Sequence, residues 1–224
     1  MFKLKYDGLG LDENHLPDFV GSVSSHLYGR KVVLKDHIAT GDYKILEFTN
    51  GLYAYVSNYI LHQDFEMELP VKKGDFLALH INQIQAGAEC KITINNRVVV
   101  YDDKIINALF LTEPKDSFFI SGSSGTCVNR LKIMMPRAWL EKRPVYNEAW
   151  LRVYFELQEE RLSLDTMDGT YRTMVDKVMN TEDNTLYLSV TQDIVEVIID
   201  RFFNRLNIRI QKNQEGAGFS GKVA

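Results

Sequence analysis

What this chain has little of narrows its identity first. It holds two cysteines, Cys90 and Cys127, in 224 residues, and no CxxC pair. That excludes a zinc knuckle and a disulfide-dense secreted scaffold, and leaves a pair of reduced thiols as the plain reading. No stretch approaches the roughly 18–20 apolar residues that a bilayer-spanning helix requires. The opening residues "MFKLKYDGLGLDENHLPDF" contain no apolar h-region and no small-residue cleavage site. The expectation is a cytoplasmic protein without a membrane partner. A basic excess is also missing: Lys and Arg number 26 against 30 Asp and Glu, for a net charge of −4. That balance has the wrong sign for residues that meet nucleic-acid phosphates by themselves.

Catalytic signatures are missing as well. The sequence has no GxSxG, no GxxxxGK[ST], no HExxH and no dinucleotide-type GxGxxG after a strand. The Gly-rich "SGSSGT" at 121–126 imitates a phosphate cradle, but it leads into a strand-like run, so no helix N-terminus presents donors there. It reads as a loop between strands. The five histidines, His15, His26, His37, His62 and His80, include no His-x-His. A metal would have to be assembled from distant ligands, so no metal and no cofactor are expected.

What is present is an ordinary globular composition, 45% hydrophobic and 25% charged, enough to bury a substantial core. The pattern changes near Pro136. Before it, about nine short β-rich runs are closely spaced by turns, which predicts a sandwich or barrel. They are "DYKILEF", "LYAYVSNYILH", "FEMELP", "FLALHINQ", "CKITI", "RVVVYD", "NALFLT", "SFFISG" and "CVNRLKIMM". Asn50-Gly51 and Asn95-Asn96 mark tight hairpins, and Pro70 with "VKKGD" marks another turn. After Pro136 the period is helical. "PRAWLEK" opens on proline, and "NEAWLRVYFELQ" on Asn147 as N-cap, with Trp150, Leu151, Tyr154 and Phe155 on one stripe. "DGTYRTMVDKVMN" aligns Tyr171, Met174, Val175 and Val178.

The longest helix is expected over 186–209. Leu186, Val190, Ile194, Val197, Ile198, Phe202 and Leu206 form one stripe, and Val195, Ile199 and Phe203 a second beside it. So wide an apolar arc suits a helix enclosed by its neighbours, or one that also packs on its copy in a homodimer. In the second case Val190, Ile194, Val197 and Ile198 form the subunit contact.

Two stretches offer binding chemistry. Strict alternation in "LYAYVSNYILH" puts Tyr53, Tyr55, Ser57 and Tyr59 on one strand face, with Leu52, Ala54, Val56 and Ile60 on the other. The tyrosines either line a pocket, ring and hydroxyl toward a small molecule, or form a ladder outside. In "FLALHINQ", His80 shares a face with Phe76, Ala78 and Asn82, opposite Leu77, Leu79 and Ile81.

The order of these parts resembles the N-terminal half of AraC-type transcription regulators, particularly those common among Bacteroidetes. "NGLYAYVSNYILHQDFEME", the passage "GTCVNRLKIMMPRAWLEKRP" and the late "LSVTQDIVEVIIDRFFNRL" carry the resemblance. It implies an α+β chain: a cupin-like antiparallel β-barrel sensor over 1–135 and a helical dimerisation unit over 136–209. Residues 210–224, with Gly216, Gly218 and Gly221, would then be a linker to a helix-turn-helix DNA-binding domain that this sequence does not contain. The implied partners are a second copy, a small-molecule effector, and DNA only through that further domain; the resemblance carries over no ligand contacts, and the candidate effector residues remain those read from the strands, Tyr53, Tyr55, Tyr59 and His80. The resemblance implies no enzymatic activity. A stand-alone cupin isomerase or oxygenase is the rival, with His62, His80 and Glu66 as its only nucleus; a small-molecule carrier is the third reading.

Overall fold

Up to Pro136 the chain is built of short β-rich runs, and twelve strands form among the described residues. The computed structural model describes residues 2–5, 24–28, 31–69, 74–85, 90–95, 97–100, 105–156, 168–181 and 185–219. The strands are β1 (Phe2–Lys5), β2 (Ser24–Tyr28), β3 (Lys31–Leu34), β4 (Ala39–Glu47), β5 (Tyr53–Leu61) and β6 (Phe65–Leu69). They continue as β7 (Phe76–Gln85), β8 (Cys90–Ile94), β9 (Arg97–Val100), β10 (Ile105–Thr112), β11 (Phe118–Gly122) and β12 (Cys127–Pro136). All nine expected runs are strands; β1, β2 and β3 are additional. His15, Asn96, residues 70–73 and the stretch after Phe219 lie outside the described residues.

Two sheets form. One has seven strands in the order β10-β7-β12-β5-β4-β3-β2, the other five in the order β1-β6-β11-β8-β9. Every pairing is antiparallel except β1 with β6. The expected closed barrel is corrected to two open sheets packed face to face. Among the described residues β10 and β2 end one sheet and β1 and β9 the other, with no strand shared. Ile84, Phe110 and Val128 from the larger sheet interlock with Ile92, Ile94, Phe118 and Ile120 from the smaller. Side-chain packing, not a continuous hydrogen-bond ladder, closes the interior on that side.

The hairpins follow their turn residues. Asn50-Gly51 joins β4 to β5, with Gly51 at φ 85° and Glu47 opposite Tyr53. Asn95, at φ 50°, turns β8 into β9. Gly41 of β4 is fixed by a neighbour: a Cβ there would lie 2.6 Å from the Cα of Tyr59, and φ is 138°. Only glycine tolerates both conditions.

Among the described residues four helices cover the outer face of the seven-stranded sheet: α1 (Arg137–Leu140), α2 (Glu148–Glu156), α3 (Gly169–Met179) and α4 (Thr185–Phe219). Pro136 ends β12 and caps α1 from outside rather than serving as its first residue. Asn147 caps α2 as expected, its Oδ1 accepting the Trp150 N–H at 3.2 Å. Leu151 and Tyr154 of α2, Tyr171, Val175 and Val178 of α3, and Val195, Ile198, Ile199, Phe202, Phe203, Leu206 and Ile210 of α4 are buried. They share one core with Ala54, Val56, Leu79, Ile81, Leu109, Leu111, Leu131 and Ile133 of the sheet. The change of period near Pro136 is a change of secondary structure within one core. The last helix also runs past Arg209 to Phe219, through part of the segment expected as a linker.

Polar contacts fix the helices over the sheet. The Tyr154 hydroxyl accepts the buried backbone N–H of Leu111 at 2.9 Å, on edge strand β10. The Tyr171 hydroxyl donates to the Ile198 carbonyl at 3.0 Å. The β4–β5 turn holds α4 through Asn50 Nδ2 to Glu196 Oε1 at 2.8 Å and Thr49 Oγ1 to Gln192 Oε1 at 3.0 Å. Asp168 caps α3, accepting the Tyr171 N–H at 2.9 Å and Arg201 Nη2 at 2.6 Å, and also pairs with Arg205.

Two outcomes follow from these contacts. Tyr154→Phe leaves the Leu111 N–H buried without an acceptor, and equilibrium urea unfolding should show a loss of about 1–3 kcal/mol; a change within experimental error would mean that water replaces the hydroxyl. The Tyr171 N–H, with Arg201 and Arg205, holds the Asp168 carboxyl down at about 2. A depressed carboxyl stabilises the fold above its ordinary titration range and loses that contribution as pH falls toward 2. Asp168→Asn keeps a capping oxygen but not the charge. Its Tm should fall below wild type at neutral pH, with the gap closing between about pH 4 and 2; a pH-independent gap would rule out the charge as the cause.

Candidate functional site between the sheets

Both faces of the middle of β5 are covered, which is why alternation alone left its orientation open. Ala54 and Val56 face the helices. Tyr55 packs with Ile45, Ala78 and Met134, and Tyr59 with the inter-sheet clusters, so the tyrosine face looks into the molecule. Tyr53 does not join them: it is 37% exposed at the strand end and its hydroxyl donates to Glu47 at 3.2 Å. His80 lies inward, as does its face-mate Asn82, while Leu79 and Ile81 face the helices.

Register then assembles the site. Ala108, Asn82, Arg130, Ser57 and Tyr43 stand side by side across β10, β7, β12, β5 and β4. Phe110, His80, Lys132, Tyr55 and Ile45 form the adjoining row. Within these rows Ser57, His80, Asn82 and Arg130 are buried, together with Thr112 nearby.

His80 is held on every side. Its ring packs against Phe110, centroids 4.8 Å apart, and against Phe118 of the opposing sheet at 5.1 Å, the two phenyl rings being neighbours at 6.0 Å. Arg130 Nη2 lies 2.9 Å from His80 Nδ1, and Thr112 Oγ1 lies 2.8 Å from Nε2. A guanidinium can only donate, so Nδ1 accepts and the imidazole is the neutral tautomer with its proton on Nε2, donated to Thr112. Burial, with the charges of Arg130 and Lys132, holds the His80 pKa well below its ordinary value, in agreement with that assignment.

Arg130 is the unusual member. It is 7% exposed, its guanidinium carbon lies 5.0 Å from the centre of the Phe118 ring, and its Nε has no hydrogen-bond partner. No carboxylate among the described residues pairs with it. Burial lowers its pKa from the usual value, and the phenols of Tyr59 and Tyr43 act the other way. Opposite it, Asn82 is fully buried, and both its Oδ1 and Nδ2 lack partners. Burial pushes the Tyr59 phenol up to about 12, so it stays protonated. Lys132, half-buried, places Nζ 5.5 Å from the centre of the Tyr55 ring.

Of the residues singled out from sequence, Tyr55, Tyr59 and His80 face the interior between the sheets, whereas Arg130, Asn82 and Thr112 were not singled out as a set. A signal existed. Arg130 and Lys132 alternate with Leu131 and Ile133, as His80 and Asn82 alternate with Leu79 and Ile81. Each polar face suggests solvent in isolation, and only strand pairing shows that the two lie together under a second sheet. The other candidates stand apart. His62 is exposed and 2.6 Å from Thr40 Oγ1. Glu66 lies on β6 of the smaller sheet. Among the described residues no three His, Cys, Asp or Glu side chains converge as metal ligands. Cys90 is a buried apolar thiol, pushed up to about 11 by burial. The expected loop at 121–126 comprises the end of β11, the loop itself and no helix; Ser124 Oγ donates to the His62 carbonyl at 3.0 Å.

The arrangement holds fixed donors and one acceptor, buried beside aromatic rings and without partners among the described residues.

No protein-family model matches the chain, and no curated protein matches it either. Among solved structures, the cupin domain of Cnp3 from Schizosaccharomyces pombe is similar over 50% of this chain and 77% of its own, with 10% identity and a TM-score of 0.33. A predicted oxalate decarboxylase from Thermotoga maritima is similar over 47% of this chain and 98% of its own, with 16% identity and a TM-score of 0.24. At that level neither assigns a role to any residue here.

Proposed function

We propose that this chain is the effector-sensing and dimerisation region of a bacterial transcription regulator of the AraC type, built on a cupin-like β-sandwich. The observation that carries the reading is the seven-stranded sheet, which has a different task on each face. Inward, β7 and β12 present His80, Asn82 and Arg130 to the inter-sheet site. Outward, the same strands present Leu79, Ile81, Leu131 and Ile133 to the helices. A ligand that alters the spacing of β7 and β12 acts on the core that those strands share with α4. An effector that favours one seating of α4 over another shifts that equilibrium by its difference in affinity.

The last helix supplies the other half of the reading. Val190 and Val197 are 57% and 52% exposed, Tyr187 is exposed beside them, and Ile194 is half-buried between them. Their spacing of three, four and three residues is that of a coiled-coil seam. Ile198, expected in the same contact, is fully buried inside its own chain. One residue of offset turns it by about 100° toward the sheet, so the contact is better assigned to Tyr187, Val190, Ile194 and Val197. Two such helices pairing about a twofold axis would set the separation of whatever follows them, and a tethered DNA-binding domain would gain effective concentration at its second half-site.

Val197→Glu tests the seam, because the side chain is exposed within one chain and its replacement leaves the core intact. Sedimentation equilibrium should show a wild-type dimer and a Val197→Glu monomer with unchanged circular dichroism and a Tm within a few degrees. A wild-type monomer, or a variant that stays dimeric, would remove this helix from the assembly and with it the regulator reading.

A further inference from the structure

Arg130 carries a buried positive charge whose counter-charge the described chain does not provide. Unpaired buried charges are costly and are found where a ligand completes them. The buried carboxylate nearest in kind, Asp116, is committed elsewhere: its Oδ1 accepts from Asn95 Nδ2 at 2.6 Å and its Oδ2 from the Glu113 N–H at 2.8 Å. The free Nε of Arg130 and the free Nδ2 of Asn82 are donors on facing positions of adjacent strands. That pair suits a carboxylate, whose two oxygens accept in one plane. Asn82 Oδ1 is an unspent acceptor and requires a donor on the same ligand. An ammonium is disfavoured beside Arg130 and Lys132, and a phosphate dianion has no donor to give. A hydroxyl remains.

We propose that the inter-sheet site binds a small hydroxycarboxylate, its carboxylate held by Arg130 and Asn82 Nδ2 and its hydroxyl donating to Asn82 Oδ1. The proposal rests on the effector-site reading above and names the chemical class of that effector. His80 acts as a positioning residue, because its Nδ1 fixes Nη2 of Arg130 and leaves the remaining edge of the guanidinium for the ligand. Phe110 and Phe118 wall the site and favour a small ligand.

The test is a thermal-shift and calorimetric panel on the full chain with D-gluconate, D-glucuronate and L-lactate, against D-glucose and acetate at matched ionic strength. At a hundredfold excess over Kd a hydroxycarboxylate should raise Tm by about 5–10 °C, whereas glucose, lacking the charge, and acetate, lacking the hydroxyl, should not. Arg130→Met should raise the Tm of the unliganded protein, because an unpaired charge is removed, and weaken binding by at least about tenfold. Asn82→Asp supplies an internal carboxylate; it too should raise the unliganded Tm and abolish the response. Glucose binding as well as gluconate, or a response undiminished in Arg130→Met, would overturn the hydroxycarboxylate class while leaving an effector site in place. No response to any of the three acids, or unliganded variants less stable than wild type, would overturn the inference outright. The dimer measurement on Val197→Glu is independent of all these arms, so failure of the regulator reading is separately visible.

Discussion

The central strands of the seven-stranded sheet are buried on both faces, and most of the molecule's features follow from that constraint. A sheet with one wet face needs a single apolar partner; this one needs two. The helices supply the outer one through the core that joins Val56, Leu79, Leu131 and Ile133 to Val195, Ile199 and Phe203. The five-stranded sheet supplies the inner one through Ile92, Phe118 and Ile120. Neither cover is optional, because removing either would expose the central strands to water. The chain on both sides of Pro136 is therefore one cooperative structure in its core, although its periodicity changes there.

Covering the inner face with a second sheet creates an unusual interior. Had that face been wholly apolar, the sandwich would be an ordinary packed core. Instead two central rows carry Ser57, His80, Asn82 and Arg130 among aromatic rings. An unsatisfied buried polar group costs about 1–3 kcal/mol, more when charged, and this site holds several. Selection for stability alone would replace them by Leu or Met, as well-packed apolar substitutes for buried ionic groups show. Their burial here is what the proposed recognition role rests on. The neutral His80, packed against both Phe110 and Phe118, keeps the guanidinium in one orientation, a preorganisation that would lower the entropic cost of binding the proposed ligand.

How much of this was legible before the structure differs by level. The strands were legible because turn residues such as Asn50-Gly51 punctuate them and β-branched residues fill them. The helix cap at Asn147 and the stripe through Leu151 and Tyr154 were legible for similar local reasons. Barrel closure was not, since it depends on whether β10 and β2 find partners across the molecule, and nothing local in "NALFLT" encodes that. The inward face of β5 was hidden because Ala54 and Val56 are as buried as Tyr55 and Ser57, which removes the contrast that alternation needs. Ile198 was misplaced for a related reason: on a helix with a wide apolar arc, sequence does not say which edge meets the sheet. Arg130 was missed because a charged residue alternating with apolar ones normally faces water.

The same alternation that obscured the site gives the fold its means of communication. In a strand, neighbouring residues point to opposite faces, so Asn82 and Ile81, or Arg130 and Leu131, are rigidly linked through one peptide unit. A shift of β7 or β12 that brings Arg130 and Asn82 onto a ligand must move Ile81 and Leu131 beneath the helices. Packed cores respond to such shifts by changing seat rather than by stretching. The long helix of that core, α4, has its other edge lined by Val190 and Val197, outside the core. In the role proposed above, binding energy gained at a buried guanidinium would reach, across the thickness of a single sheet, the core that includes α4, whose exposed apolar edge suits a second copy of the chain.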